Sequence, residues 1–224
     1  MQTQVEIQDF RRNYDQNSLD QALLEPNPTA EFLKWMEFAH AAPAPPWFEI
    51  TAMTLATSDS SGRVSARIVL LKTVDATGFT FFTNYRSDKA QQLLANPLAA
   101  LVLFWPHIER QVRVEGLVAY TDSATSDKYF QARPRGSQIG AVISPQSQPL
   151  PDRGQLEQCA AQLAETYAGD QVIPRPDYWG GFLLKPNRVE FWQGRPNRLH
   201  DRFLYSRNNA DKQAESWTIT RLAP

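Results

Sequence analysis

The sequence predicts a mainly β fold with peripheral helices, and three observations carry that prediction. From Ile50 onward, runs of strand length rich in β-branched and aromatic residues are separated by turn clusters such as DSSG and DATG. Gln111 to Ala119 alternates, with Val112, Val114 and Val118 on one side and Gln111, Arg113 and Glu115 on the other. Helical patterns are few and do not alternate regularly with strands, so five or more antiparallel strands closing into a barrel fit better than a parallel sheet.

In chain order, residues 1–46 form an N-terminal helical segment and linker. Val5, Ile7 and Phe10 suit a short amphipathic helix over 5–14. Asn27 then Pro28 reads as an N-cap and first helical position, and Phe32, Leu33, Trp35, Met36 and Ala39 give an apolar stripe to about Ala42. Prolines in 41–46 stop that helix. Residues 47–224 supply the barrel, and a single structural domain is expected overall. Its strands are Thr51–Thr57, Arg63–Val74 and Phe79–Thr83, followed by a helix over Ser87–Ala95 capped by Ser87. Leu98–Trp105 is wholly apolar, which predicts burial on both faces. Asp122 caps a helix carrying Tyr129 and Arg133 that Pro134 stops, and Asp152–Ala168 is a longer helix. Strands at Phe182–Leu184 and Val189–Trp192 follow, then Arg202–Ser206 and Trp217–Leu222 around the turn NNAD.

Composition bounds the function. A formal net charge of −1 and a pI near 6.3 argue against binding nucleic acid or anionic membrane by bulk electrostatics. The 17 Arg against 6 Lys hint at phosphate recognition, since a guanidinium can grip phosphate bidentately. One cysteine, Cys159, excludes an intrachain disulfide and reads as a buried thiol in a helix; three His and one Cys make no metal set. The start lacks a basic segment followed by an apolar one, and no apolar run approaches a bilayer span, so a cytoplasmic protein is expected. No GxGxxG or Walker-type loop is present, which disfavours a Rossmann dinucleotide site.

Two constellations carry chemistry. In Val189–Arg202, reading VEFWQGRPNRLHDR, the runs Val189–Trp192 and Arg198–Tyr205 read as strands joined by a turn at Gly194–Asn197. Strand alternation then places Arg198, His200 and Arg202 on one face, where an anion would answer them; a solvated basic face or an inter-subunit salt bridge fits too. In the second, Tyr129 and Arg133 share a helical face and Ser137 caps a segment Gln138–Ile143. Together they would make an anion pocket, or an ordinary helix–turn–helix with surface Tyr and Arg.

VEFWQ followed after four residues by RLHDR resembles the signature of pyridoxamine/pyridoxine 5'-phosphate oxidases, as do RIVLLK at 67–72, FFTN at 81–84, ERQVRVEG at 109–116, KYFQARPRGSQIGA at 128–141, SPQSQ at 144–148 and the terminal RLAP. The resemblance implies an FMN-binding split β-barrel that uses O2 to oxidise pyridoxamine 5'-phosphate or pyridoxine 5'-phosphate to pyridoxal 5'-phosphate. It implies a homodimer with the active site at the interface. It assigns the substrate phosphate to Lys72, Tyr129, Arg133 and Ser137, catalysis and substrate contact to Arg198 and His200, and a closing segment to Arg11 and Tyr14. Cofactor contacts would come from Arg67, Ile68, Val69, Leu70, Leu71, Lys72, Phe82, Thr83, Lys89, Gln111, Gln146, Ser147, Trp192 and Arg202. The family commonly has Ser-Arg-Lys where this chain has Ser87, Asp88 and Lys89, so Asp88 is expected to point away while Arg86, with Lys89 and Arg67, supplies the cofactor-binding charge. Strict alternation would put Arg67 and Lys72 on opposite faces, which requires a bulge or sharp twist near Leu70. A split-barrel flavin oxidase acting on another aromatic metabolite, or a non-catalytic carrier of flavin or vitamin B6 phosphate, are the alternatives.

Overall fold

The computed structural model describes residues 13–207 and 216–224. Arg11, residues 5–12 of the helix expected over 5–14 and the turn NNAD lie outside the described residues, and Asn13 and Tyr14 are not helical. The chain divides into two compact units. One comprises Met1–Ile50, Leu103–Arg113 and Arg188–Pro224, and the other Thr51–Val102 and Val114–Asn187.

In the unit containing Thr51, β1 (Ala52–Ser58) pairs antiparallel with β2 (Val64–Leu70) across the turn at Gly62. Residues of β5 (Leu98–Trp105), β6 (Arg110–Tyr120), β7 (Trp179–Gln193), β4 (Gly78–Asn84) and β3 (Thr73–Asp75) extend the order β2-β1-β5-β6-β7-β4-β3. The run expected as one strand over Arg63–Val74 is broken at Leu71 and Lys72. The Leu71 N–H donates to the Thr51 carbonyl, whereas the Lys72 N–H donates to that of Thr80 on β4. The chain thus changes neighbours between two residues, close to where a twist was required.

Helix α2 (Asp88–Ala95) begins after Ser87, but the Ser87 hydroxyl does not cap it; it donates instead to the Asn84 carbonyl at 2.6 Å. Helix α3 (Ser123–Ala132) is capped by Asp122, which accepts from the Thr125 N–H at 2.7 Å. Helix α4 (Arg135–Ile143) has Pro134 as its N-cap, so Ser137 lies inside its first turn and is not its cap; the Pro134 carbonyl accepts from the Ser137 and Gln138 N–H groups and starts the helix earlier than the hydroxyl suggested. No residue of α5 (Arg153–Thr166) is buried, so Cys159 is exposed, not a core thiol.

Two strand expectations change. The segments Phe182–Leu184 and Val189–Trp192 belong to one strand, β7, because Pro186 has a φ compatible with extended chain and Lys185 and Asn187 alternate outward around it. On β5, Leu101, Leu103 and Trp105 are buried, whereas Leu98 is 54% and Phe104 44% exposed. The strand buries one face; a wholly apolar sequence conceals the alternation.

In the other unit, α1 (Pro28–Ala41) begins as expected, with the Asn27 side chain accepting from the Thr29 N–H at 2.8 Å. It buries Phe32, Trp35 and Ala39, and Trp35 meets Phe191 edge to face at 5.0 Å. The β7 residues 188–193 pair with β8 (Asp201–Arg207), and β8 pairs with β9 (Trp217–Leu222). The strand expected from Arg198 begins only at Asp201. Pro196–Arg198 form a 3-10 turn in which Asn197 (φ 55°) and Arg198 (φ 62°) are left-handed, so Arg198 and His200 do not alternate with Arg202 on one strand face.

Candidate active site

Within the unit containing Thr51, the break after β2 gathers cofactor-type and phosphate-type residues around one cavity of about 460 Å³. Ile68, Val69, Leu70 and Lys72 form one side and Phe82, Thr83 and Lys89 another. Tyr129, Arg133, Ser137, Gln146 and Trp179 close it. That size suits a small-molecule site. All four residues assigned to the substrate phosphate meet there, beside seven other positions assigned to the cofactor.

Lys89 on its wall and Arg67 beside it are held by neutral hydrogen-bond acceptors among the described residues. Lys89 Nζ donates to Gln146 Oε1 at 2.7 Å and to Thr83 Oγ1 and Ser87 Oγ at 3.2 Å. Burial, then the neighbouring Arg67 charge, lower the Lys89 pKa to about 8 against the opposing pull of Asp88. Arg67 donates to the Leu55 carbonyl, Thr57 Oγ1 and Gln92 Oε1, and burial lowers its pKa as well, again opposed by Asp88. Two half-buried cations held by neutral acceptors are suited to an anion. Asp88 is exposed, but its carboxylate acts on both cations, so it is not electrically turned away. Arg86 lies elsewhere: its guanidinium stacks on Tyr178 at 4.5 Å beside a second cavity, which shares Gln146 with the first.

Phe82 and Tyr129 stack at 4.0 Å, and both rings run nearly parallel to Trp179. Burial raises the Tyr129 pKa, so its hydroxyl keeps its proton and can donate. Arg133 sits just past the end of α3, its guanidinium 4.6 Å from the Trp179 ring centroid and its buried Nη1 without a hydrogen-bond partner. An orphaned buried donor on a cavity wall, with a protonated phenol and two half-buried cations nearby, is a fitting donor set for a phosphate-bearing ligand. Trp179 escaped the sequence reading; the only signal was its place before the glycine pair Gly180–Gly181.

The other unit holds a second group. Tyr14 and His200 lie edge to face at 5.8 Å, Tyr14 meets Trp192 at 5.6 Å, and Trp192 and His200 are 4.6 Å apart. Trp192 is half-buried, so it is not part of the fully buried core. His200 Nδ1 accepts from the Arg195 N–H at 3.1 Å, which leaves the proton of the neutral ring on Nε2. Burial, then Arg198 and Arg202, lower the His200 pKa and favour that neutral form. Arg198 is exposed. Glu190, buried, accepts from Arg202 Nε at 2.9 Å and lies 3.0 Å from Arg113 Nη2, while Arg202 Nη1 donates to the Ala223 carbonyl.

Of the remaining assigned positions, Leu71 is buried and Gln111 is half-buried on β6. Ser147 is exposed with φ 72°, its Oγ accepting from the Asp88 N–H. No group of His, Cys, Asp or Glu among the described residues could hold a metal, and no described helix is long and apolar enough to cross a membrane.

Comparison with known proteins agrees with the resemblance. Residues 45–167 match the family model described as pyridoxamine 5'-phosphate oxidase, and residues 179–224 match the pyridoxine 5'-phosphate oxidase C-terminal dimerisation region. The chain is 50% identical over 218 residues to the pyridoxine/pyridoxamine 5'-phosphate oxidase of Paraburkholderia phytofirmans, covering 97% of this chain and 99% of the relative. It is 47% identical over 220 residues to that of a Cyanothece species, covering 98% and 99%. Among solved structures, PhzG from Burkholderia lata, in complex with tetrahydrophenazine-1-carboxylic acid, aligns with a TM-score of 0.83 at 27% identity, covering 93% of this chain and 98% of that one. The fold is the split-barrel class expected from the sequence. Matched by the family model over more than half its length and about half identical to curated members, the chain belongs to the pyridoxamine 5'-phosphate oxidase family.

Proposed function

We propose that this protein is an FMN-dependent oxidase converting pyridoxamine 5'-phosphate or pyridoxine 5'-phosphate to pyridoxal 5'-phosphate. The observation that carries the reading is the convergence of Lys72, Tyr129, Arg133 and Ser137 on the cavity that also receives Lys89, Thr83 and Gln146. When bound, FMN would supply the two-electron redox chemistry: a hydride would leave C4' and a proton its hydroxyl or amine substituent, with O2 as the final acceptor of both, giving H2O2. Pyridoxine 5'-phosphate then needs only O2, whereas pyridoxamine 5'-phosphate also consumes water and releases ammonia.

The chain's own contribution is mainly positioning. Tyr129 and Arg133 direct donors at the substrate phosphate, and Lys72 adds charge, so the phosphate anchors the ring at a fixed distance from the reacting carbon. Arg67 and Lys89 hold the anionic end of the cofactor. Arg198 and His200 act on the C4' substituent; His200, neutral with its proton on Nε2, can donate to the alcohol or amine there. The active protein is a homodimer whose active site draws on both chains. Such a site unites the Trp192, Arg198, His200 and Arg202 group of one protomer with the cavity of its partner.

The test is to purify the protein, record its visible spectrum, add each vitamin B6 phosphate in air and follow pyridoxal phosphate and peroxide together. A yellow protein giving equimolar products is expected. Flavin without turnover on either substrate would favour another aromatic substrate, the reading suggested by the likeness to PhzG.

A further inference from the structure

We propose that Trp179 is a positioning residue of this site: its indole holds the Arg133 guanidinium at the cavity wall and so sets how tightly a phosphate-bearing ligand is gripped. The inference rests on the reading of this cavity as a phosphate-ester site and deepens it by adding a residue to the phosphate grip.

Arg133 is poorly placed to orient itself. It follows the last residue of α3 with extended backbone (φ −73°, ψ 149°), so no helical turn constrains its side chain. A long side chain without fixed partners loses much rotamer freedom when a ligand orders it, and that loss weakens binding. Here the guanidinium lies 4.6 Å from the Trp179 ring centroid, and its Nη1 is buried with no hydrogen-bond partner. The indole therefore orients the charge without consuming a donor, which an acceptor or a carboxylate would do.

Trp179 is itself fixed. It is 5% exposed, meets Phe130 edge to face at 5.2 Å and packs in a cluster with Ile173. Phe82 lies nearly parallel to it at 5.6 Å and carries Tyr129 at 4.0 Å. Close approach of β4 and β7 makes this possible: Phe82 pairs with Gly181, where an added Cβ would lie 2.8 Å from Phe82 Cε1. One aromatic group thus orients both the phenol and the guanidinium that face the phosphate.

The test is a double-mutant cycle on the FMN-loaded protein, with the affinity for pyridoxal 5'-phosphate and for unphosphorylated pyridoxal measured by calorimetric titration. Trp179→Leu is expected to weaken pyridoxal 5'-phosphate binding roughly 3- to 30-fold, the range of a partly desolvated cation–π contact, and to leave pyridoxal binding within about 2-fold. Trp179→Phe, which keeps a π face, should retain most of the affinity. In an Arg133→Ala background Trp179→Leu should have a markedly smaller effect, leaving only what the indole contributes through Phe82 and Tyr129. An equal loss in both backgrounds, or an equal loss for pyridoxal, overturns the inference and makes Trp179 a packing residue only. If Arg133→Ala alone leaves pyridoxal 5'-phosphate affinity unchanged, the phosphate reading of the cavity fails, and the inference with it. Should Trp179→Leu not fold, Trp179→Phe carries the same cycle with a smaller coupling, and zero coupling there overturns it.

Discussion

Raising the pH through 8 is expected to loosen FMN, because the charge of Lys89 is only conditionally present. In the free protein, burial and Arg67 lower its pKa to about 8, while its hydrogen-bond acceptors, Gln146, Thr83 and Ser87, are uncharged. A bound phosphate dianion would favour the protonated form and return the pKa towards the ordinary value near 10.5. Arg67 stays charged throughout, and a phosphate with a second pKa near 6 is already a dianion, so neither titrates in this window. The sign follows from linkage. Binding that raises a pKa is at full strength below the free value and weakens as pH climbs from the free towards the bound value. With about 8 free and the ordinary value near 10.5 as the ceiling when bound, affinity should fall by up to about 30-fold between pH 7 and pH 9.5. Titrating apoprotein with FMN at constant ionic strength, by quenching of flavin fluorescence, measures this directly. Lys89→Met should bind more weakly at pH 7 and lose most of the slope. The same slope in Lys89→Met would refute the reasoning.

Three other outcomes follow from the geometry. Arg198→Ala and His200→Ala should each lower kcat about 10- to 150-fold, the scale of a lost charge-assisted hydrogen bond, with FMN content unchanged by absorbance. Leu98, 54% exposed, and Phe104, 44% exposed, leave apolar surface on β5 that a second copy would cover, so Phe104→Asp should shift sedimentation from dimer towards monomer at micromolar concentration. Gly181→Ala would place a Cβ 2.5 Å from Thr121 Oγ1 and 2.8 Å from Phe82 Cε1, and about 1–3 kcal/mol of overpacking should lower Tm by roughly 2–10 °C in a thermal melt.

Much of the fold was legible because most elements announce themselves locally. Asn27–Pro28 and Asp122 are chemical start signals for helices, and both cap as expected. Val112, Val114 and Val118 alternate in chemistry as they do in burial. Elements whose environment is set from outside were harder. On β5 every residue is apolar, so the sequence carries no sign of which face is covered within the chain. Arg63–Val74 looks continuous, yet Leu71 and Lys72 bond to different neighbours, Thr51 before the strand and Thr80 on the next one, a switch that the run itself does not signal.

The same distinction explains the site. Lys72, Tyr129, Arg133 and Ser137 were readable as a set, and they meet at one cavity even though two local arguments for them were wrong. Arg133 lies outside its helix and Ser137 caps nothing, so neither helical spacing nor capping places them. What places them is the turn at Pro134 and the aromatic wall behind it. The hairpin shows the limit more sharply. Period-two reasoning put Arg198, His200 and Arg202 on one strand face, but Asn197 and Arg198 adopt left-handed backbone, which carries about 1 kcal/mol of strain each for residues other than glycine. Asn tolerates that conformation; Arg has no local reason to adopt it. Left-handed backbone at an exposed arginine beside an oriented histidine has no source in the local sequence and fits the ligand-facing role proposed for Arg198, and there sequence periodicity has least to say.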